Sequence, residues 1–91
     1  NIGKRRLGLS KIEKLKEKLT KSSNGFTFDE IVTLLTAMGF SFHNRGKTSG
    51  SRVCFTNQKV TIILHKPHPG NELKRYQIKQ IRDVLQKEGL L

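Results

Sequence analysis

Two of the three histidines lie in one short segment, His65-Lys66-Pro67-His68-Pro69, which also contains both prolines of the chain. Each proline fixes its own φ and favours an extended conformation for the residue before it, so the segment is expected to be stiff. The three-residue repeat of a polyproline helix would place His65 and His68 on the same side. Imidazole titrates near neutral pH and can act as a general base or acid. These two histidines are therefore candidate catalytic residues, and the alternative is a rigid connector whose histidines only cap backbone groups.

Arg52 is a third catalytic candidate, because strand alternation places it on the same sheet face as His65. A two-residue turn at Asn57-Gln58 would put Arg52 opposite Ile63 and diagonal to His65. Diagonal neighbours lie about 7–8 Å apart, and a long arginine side chain can span that distance. The alternative is a solvated sheet face that carries a few polar residues. On this face we expect Ser41, His43, Arg52, Cys54, Thr61, Ile63 and His65.

Basic residues in other segments are candidate phosphate contacts. The segment 44–51 is rich in glycine, hydroxyl groups and positive charge, which suits close approach to a phosphate, although it lacks the spacing of a nucleotide-binding P-loop. Arg75, Lys79 and Arg82 recur at helical spacing and would form one basic stripe. The alternative for both is a solvated surface. The candidate residues for binding the phosphates of a nucleic acid are Arg45, Lys47, Gly50, Ser51, Lys66, Lys74, Arg75, Lys79 and Arg82.

The last helix is expected to begin directly after Asn71 and to run to about Glu88. Its free backbone N–H groups and its dipole would then lie beside His68, where they attract anions. A phosphate group is therefore expected next to the histidine segment.

The charge balance points to a polyanionic partner. Eighteen Lys and Arg residues against seven Asp and Glu residues give a formal net charge of +11 and a pI near 10.3. Such an excess bears on partners and solubility rather than on fold, and the alternative is a surface that only keeps the protein soluble.

Other classes of function are poorly supported. One cysteine, Cys54, excludes an internal disulfide and a zinc site with two or more cysteines. His43 is far from the other histidines and Glu72 is the only carboxylate near them, so no metal site is expected, and no cofactor is predicted. No apolar run approaches the roughly 20 residues of a membrane span, and no signal peptide is recognised. We therefore expect no membrane contact and a cytoplasmic location.

Helical periodicity predicts two helices in the first part of the chain. Residues 1–9 are expected to be a flexible basic lead-in, and Ser10 would cap an extra N-terminal helix that occupies, with its linker, residues 10–25. Thr27-x-x-Glu30 has the spacing of a capping box and would start the second helix. The lead-in and the extra helix precede the main domain, residues 26–91, which the second helix begins.

Period-two alternation predicts three antiparallel strands before the last helix, at about residues 40–44, 52–56 and 60–65. Residues 26–91 therefore have the order α-β-β-β-α. This order predicts an α+β fold, a two-layer sandwich in which the helices pack on one face of the sheet.

The chain carries, in this order, the motifs Phe28-Asp29-Glu30 through Leu35, Met38-Gly39-Phe40, Gly50-Ser51, Asn71-Glu72-Leu73-Lys74, Ile81-Arg82 and Gly89-Leu90. Together they resemble the HicA toxins of bacterial toxin–antitoxin pairs over roughly residues 26–91. The resemblance implies a fold like the double-stranded-RNA-binding domain. It also implies cleavage of messenger RNA (mRNA), and neutralisation by an acidic HicB-type antitoxin encoded in the same operon.

One residue departs from the pattern of most of these toxins, which have Gly-Ser-His or Gly-Thr-His where this chain has Gly50-Ser51-Arg52. The histidine is taken as catalytic in the family, and an arginine, protonated below about pH 12, cannot replace it as a base. Either the base has moved to His65 or His68, or the protein binds RNA without cutting it. The chain is similar to a longer subgroup with an extra N-terminal helix and a Gly-Ser-Arg motif, which favours the first explanation.

We therefore expect the toxin of a type II toxin–antitoxin pair, which cleaves mRNA without a metal. A neutral His65 or His68 would take the proton of a ribose 2′-OH, which attacks the adjacent phosphate. Arg52 and Lys66 would stabilise the charge on the phosphate oxygens, and the other histidine would protonate the leaving oxygen. The alternatives are a non-catalytic RNA- or DNA-binding module and an interaction protein whose charge serves an acidic antitoxin.

Overall fold

The computed structural model describes residues 2–44 and 52–91, with side chains from residue 11 onward in the first helix. Within these ranges the order of elements confirms the predicted α+β fold, an α-β-β-β-α unit preceded by an extra helix. The elements are α1 (Ile2–Lys21), α2 (Phe28–Ala37), β1 (Ser41–Asn44), β2 (Arg52–Thr56), β3 (Thr61–His65) and α3 (Arg75–Lys87).

The three strands form one antiparallel sheet in the order β1-β2-β3, with α2 and α3 packed on one face. The predicted alternation is confirmed for β2 and β3. Cys54 lies on the open face but is only 7% exposed, because it sits on the central strand between His43 of β1 and Ile63 of β3. The covered face carries Val53, Phe55, Ile62 and Leu64, and the open face carries the exposed Arg52, Thr61, Ile63 and His65.

The predicted register of the β2–β3 hairpin is wrong by two residues. Thr56 pairs with Thr61, so a loop of four residues, Asn57 to Val60, connects the strands. The side-chain oxygen of Asn57 accepts hydrogen bonds from the backbone N–H groups of Lys59 and Val60, each 2.8 Å long, which stabilises this longer loop. A shift of two residues leaves every side chain on its predicted face, but it changes which residues lie opposite one another.

The start of α2 is the predicted capping box. The Thr27 side chain accepts a hydrogen bond from the Glu30 N–H, and the Glu30 carboxylate accepts one from the Thr27 N–H at 2.9 Å. The hydrogen bond from the Thr27 backbone holds the pKa of the Glu30 carboxyl below its usual range, with a smaller contribution from the Lys18 ammonium. Gly39, with φ of 100°, ends the helix as predicted.

The extra helix α1 begins at Ile2 rather than after Ser10, so most of the segment predicted to be a flexible lead-in is helical. Leu15 and Leu19 are buried in the common core, and each such burial stabilises the fold by about 1.5–3 kcal/mol. The helix packs against both α2 and α3. It is therefore anchored to the sandwich through its C-terminal half.

The last helix, α3, begins at Arg75, so the predicted start directly after Asn71 is wrong. Residues 71–73 pair instead with the segment before α2. The Phe28 N–H donates to the Asn71 carbonyl and the Leu73 N–H donates to the Phe26 carbonyl, both at 2.8 Å. Because the backbone of Asn71 and Leu73 is hydrogen-bonded in this extended pairing, residues 71–73 cannot form the first turn of a helix. The expected helix terminus beside His68 is therefore absent, since residues 69–74 separate them.

Candidate nucleic-acid interface

Arg52 and His65 lie directly opposite each other at one end of the sheet, where β2 begins and β3 ends. Both side chains are exposed and stand on the open face. Directly opposite residues have Cβ atoms about 4.5–5.5 Å apart, closer than the diagonal arrangement expected from the sequence. A guanidinium and an imidazole are thus available to one small anionic group. We call this end of the sheet, with the first turn of α3, the basic end.

Gln77, which sequence analysis did not single out, joins the end of β3 to the first turn of α3. Its side-chain Nε2 donates a 3.0 Å hydrogen bond to the His65 carbonyl, while its Oε1 accepts one of 3.0 Å from the Lys74 N–H. Its side chain is only 5% exposed, so both hydrogen bonds are largely shielded from water. The N-cap-to-N3 spacing of Lys74 and Gln77 was the available signal, because a glutamine at N3 often bonds back to the N-cap backbone.

This connection brings more positive charge to the basic end. Lys74 and Arg75 are both exposed and lie at the start of the helix that Gln77 ties to His65. Lys66 follows His65 directly, and its ammonium lies 5.9 Å from the centre of the Phe28 ring. Residues 65–75 contain one carboxylate, Glu72, and five basic side chains, which are His65, Lys66, His68, Lys74 and Arg75. An anionic ligand is therefore the natural partner of this end.

His68 lies in the bend that follows β3, and its ring is exposed. It belongs to a loop rather than to the sheet, unlike His65, whose backbone is paired in a strand and hydrogen-bonded to Gln77. His43 is also exposed and stands on the open face of β1, opposite Cys54. The structure thus brings together Arg52 and His65, and leaves His43 two strands away from His65.

The predicted basic stripe of α3 divides into two parts. Arg75 and Lys79 are exposed. Arg82 instead donates hydrogen bonds to the Leu19 carbonyl at 3.1 Å and to the Ser22 carbonyl at 3.4 Å, near the C-terminus of α1. Its guanidinium satisfies carbonyl groups that a helix end leaves without intrahelical partners. Arg82 therefore has a structural use that its spacing did not reveal.

Four candidate RNA contacts, Arg45, Lys47, Gly50 and Ser51, lie outside the described residues. Their segment connects Asn44, the last residue of β1, to Arg52, the first of β2. Both attachment points are at the same end of the sheet as His65, because Asn44 pairs with Val53.

Within residues 2–44 and 52–91, no three His, Cys, Asp or Glu side chains group together in the way that a metal ion would need. A search of the same residues for membrane spans finds no helix of sufficient length and apolar character.

The architecture defines a small basic α+β protein, a sandwich of the double-stranded-RNA-binding-domain type with an extra N-terminal helix. A protein-family model described as HicA toxin of bacterial toxin-antitoxin matches residues 28–90. Since this match covers more than half of the chain, the protein belongs to the HicA toxin family. Comparison with curated proteins and with solved structures gives no significant match. The helix α1 lies outside the matched residues.

Proposed function

We propose that this HicA-family protein binds mRNA at the basic end and cleaves it without a metal ion. The observation that carries the proposal is the direct pairing of Arg52 with His65 on the open sheet face. It brings a group that can accept a proton next to a permanent cation, the two functions that phosphodiester cleavage through a ribose hydroxyl requires. The net charge of +11 supports a polyanionic substrate.

In the proposed reaction, the neutral imidazole of His65 removes the proton from a ribose 2′-OH. The resulting oxygen attacks the adjacent phosphorus, and the bond from phosphorus to the 5′-oxygen of the next nucleotide breaks. His68, in its protonated form, gives a proton to this leaving oxygen. The products are a 2′,3′-cyclic phosphate and a free 5′-hydroxyl. Arg52 and Lys66 stabilise the negative charge that develops on the non-bridging oxygens.

We assign the base to His65 rather than to His68 for a structural reason. Catalytic groups act best when the elements around them restrict their position. The backbone of His65 is fixed by the sheet and by the hydrogen bond from Gln77, whereas His68 belongs to the following bend. His68 is accordingly the candidate for the acid, which must come within hydrogen-bond reach of the leaving oxygen when RNA is bound.

The partner that controls this activity is proposed to be a HicB-type antitoxin with an acidic surface. Membership of a toxin–antitoxin family supports an antitoxin in general. A negative surface laid over Arg52, Lys74 and Arg75 would exclude RNA from the basic end and would associate rapidly by electrostatic steering.

A non-catalytic RNA- or DNA-binding module is the second candidate, because Arg52 stands where most members of the family carry their histidine. Arginine stays protonated and can only bind the phosphate. Such a module would use the same basic end, with Lys74 and Arg75 as backbone contacts.

The deciding experiment is cleavage of a labelled RNA in the presence of EDTA, with analysis of the product ends. His65→Ala should slow cleavage by about 10²-fold or more, the usual contribution of a general base. His43→Ala is the matched control, an exposed histidine on the same sheet face that should change the rate little. Products with 5′-phosphate ends would contradict the proposed mechanism. A wild-type protein that binds RNA but never cleaves it, with or without added metal, would support the second candidate.

A further inference from the structure

Tyr76 is an exposed aromatic residue in an unusual setting. It lies in the first turn of α3 and is 64% exposed, compared with 37% for Phe42 and 43% for Ile63, the other large hydrophobic residues that are exposed among those described. A single exposed aromatic ring is common on protein surfaces and by itself indicates nothing. The residues next to Tyr76 are what suggest a binding role for its ring.

The position of Tyr76 is fixed relative to the basic end. It directly precedes Gln77, whose side chain donates to the His65 carbonyl at 3.0 Å. It directly follows Lys74 and Arg75, which are both exposed. Tyr76 therefore lies in the turn of α3 that Gln77 links to the end of β3, on the covered side of the sheet, whereas Arg52 and His65 stand on the open face at the same end.

The helix positions that follow Tyr76 on its surface carry a cationic and a polar residue rather than apolar ones. Lys79 and Gln80 lie three and four residues further along the helix, the positions that neighbour Tyr76 on its surface, and both are exposed. A ring that docks a protein usually belongs to an apolar patch with few charges. An aromatic ring among cations fits nucleic acid instead, because the bases stack on the ring while the cations bind the phosphates on either side.

We propose that Tyr76 stacks on an unpaired base of the RNA that the basic end binds, with Arg75 and Lys79 binding the neighbouring backbone. The inference rests on the proposed RNA binding and adds a substrate class, single-stranded RNA or an unpaired stretch within a folded one. A base inside a duplex is already stacked on its neighbours, so its face is not available to the ring. Stacking makes little distinction between bases, so Tyr76 selects for an unpaired strand rather than for a sequence.

The chain provides its own reporter for this contact, since Tyr76 is the only tyrosine and there is no tryptophan. The probe is a short mixed-sequence RNA with 2′-O-methyl riboses, which lacks the attacking hydroxyl and cannot be cleaved. Titration of the 91-residue chain with this single strand should quench the tyrosine fluorescence. The same strand annealed to its complement should quench it much less at equal occupancy, with occupancy measured by the anisotropy of a label on the RNA.

Substitution separates stacking from other contributions. Tyr76→Ala should weaken binding of the single strand by about 5- to 150-fold, the range that base–aromatic stacking contributes. Tyr76→Trp should retain affinity, whereas Tyr76→Leu, which keeps apolar bulk without a π face, should lose most of it. Gln80→Ala is the matched control, an exposed residue one turn further along the same helix, and should bind like wild type.

The outcomes distinguish this inference from the proposed function. If the RNA binds with no change in fluorescence and Tyr76→Ala binds as well as wild type, the role of Tyr76 is overturned while RNA binding stands. If neither single-stranded nor duplex RNA binds at low salt, both are overturned. If Tyr76→Ala weakens the complex with the antitoxin and leaves RNA affinity unchanged, the ring serves a protein contact and the inference is also overturned.

Discussion

The two ends of the sheet differ in shape and in charge, and each property favours a different end as the functional site. At the end where β2 connects to β3, a shallow cavity of about 610 Å³ is lined by residues that include Ser41, Thr56, Asn57, Lys59 and Glu88. We call this the turn end. The basic end carries Arg52, His65, Lys66, Lys74 and Arg75 on an exposed surface.

Concavity would favour the turn end as the functional site, because small ligands bind in clefts. The charges of Lys59 and Glu88 cancel there, however, and the lining offers no histidine. A polymer such as RNA needs a surface along which its backbone can lie, with cations at intervals, rather than an enclosed cavity. In a protein of this charge, the distribution of cations is the better guide to the site than the depth of a pocket.

The largest expected difference between the two ends concerns Arg52. Arg52→Ala should slow RNA cleavage by about 10²- to 10³-fold, the usual effect of removing one preorganised charge from a developing anion. Lys59→Ala removes one positive charge from the turn end and should leave the rate within about twofold. Single-turnover cleavage rates of the two variants measure the difference directly. Equal losses would mean that net charge, rather than its position, controls the reaction.

A smaller difference is expected for binding. The double variant Lys74→Ala/Arg75→Ala should flatten the dependence of log K on log salt by about 1.4, because each phosphate contact to a single strand contributes about 0.7. Lys59→Ala/Lys87→Ala lowers the net charge by the same amount but away from the basic end. Its slope should match that of the wild-type protein. A similar flattening in both double variants would show that the RNA is not confined to one end.

The smallest effect on RNA is expected for Arg82, which lies on the same helix as Arg75 and Lys79. Its hydrogen bonds to Leu19 and Ser22 predict that Arg82→Ala lowers the free energy of unfolding by about 1–3 kcal/mol. The salt dependence of RNA binding should remain unchanged. Lys79→Ala is the control for stability and should shift it by less than about 0.5 kcal/mol. Urea unfolding of both variants checks the prediction. A stable Arg82→Ala protein with weakened RNA binding would reverse the assignment.

The sequence predicts the faces of the sheet better than its pairings, for a physical reason. Which face Arg52 and His65 occupy depends only on the period of two, and it survives a register shift of two residues. Which residues they oppose depends on the length of the loop, which the Asn57 amide stabilises through its own hydrogen bonds. The local sequence pattern therefore determines the sheet face of each residue but not the residue that lies opposite it.

The helix boundaries show a similar division. The capping box at Thr27 and Glu30 was predictable because it is local. The start of α3 was not, because residues 71–73 pair with a segment more than 40 residues earlier in the chain. The separate use of Arg82 depends likewise on α1, some 60 residues away. Spacing along one helix cannot reveal a partner that only the tertiary structure supplies.

The hydrogen bonds from Arg82 to the end of α1 have a consequence for how the chain unfolds. They connect a residue inside the family match to a helix outside it, and Leu15 and Leu19 add apolar contact across the same boundary. We therefore expect α1 to unfold together with the matched region rather than independently of it. A chain trimmed to residues 28–90 would expose the apolar surface that α1 covers and would leave the Arg82 guanidinium without its carbonyl acceptors. The contacts that stabilise this protein therefore extend beyond the residues that the family model matches.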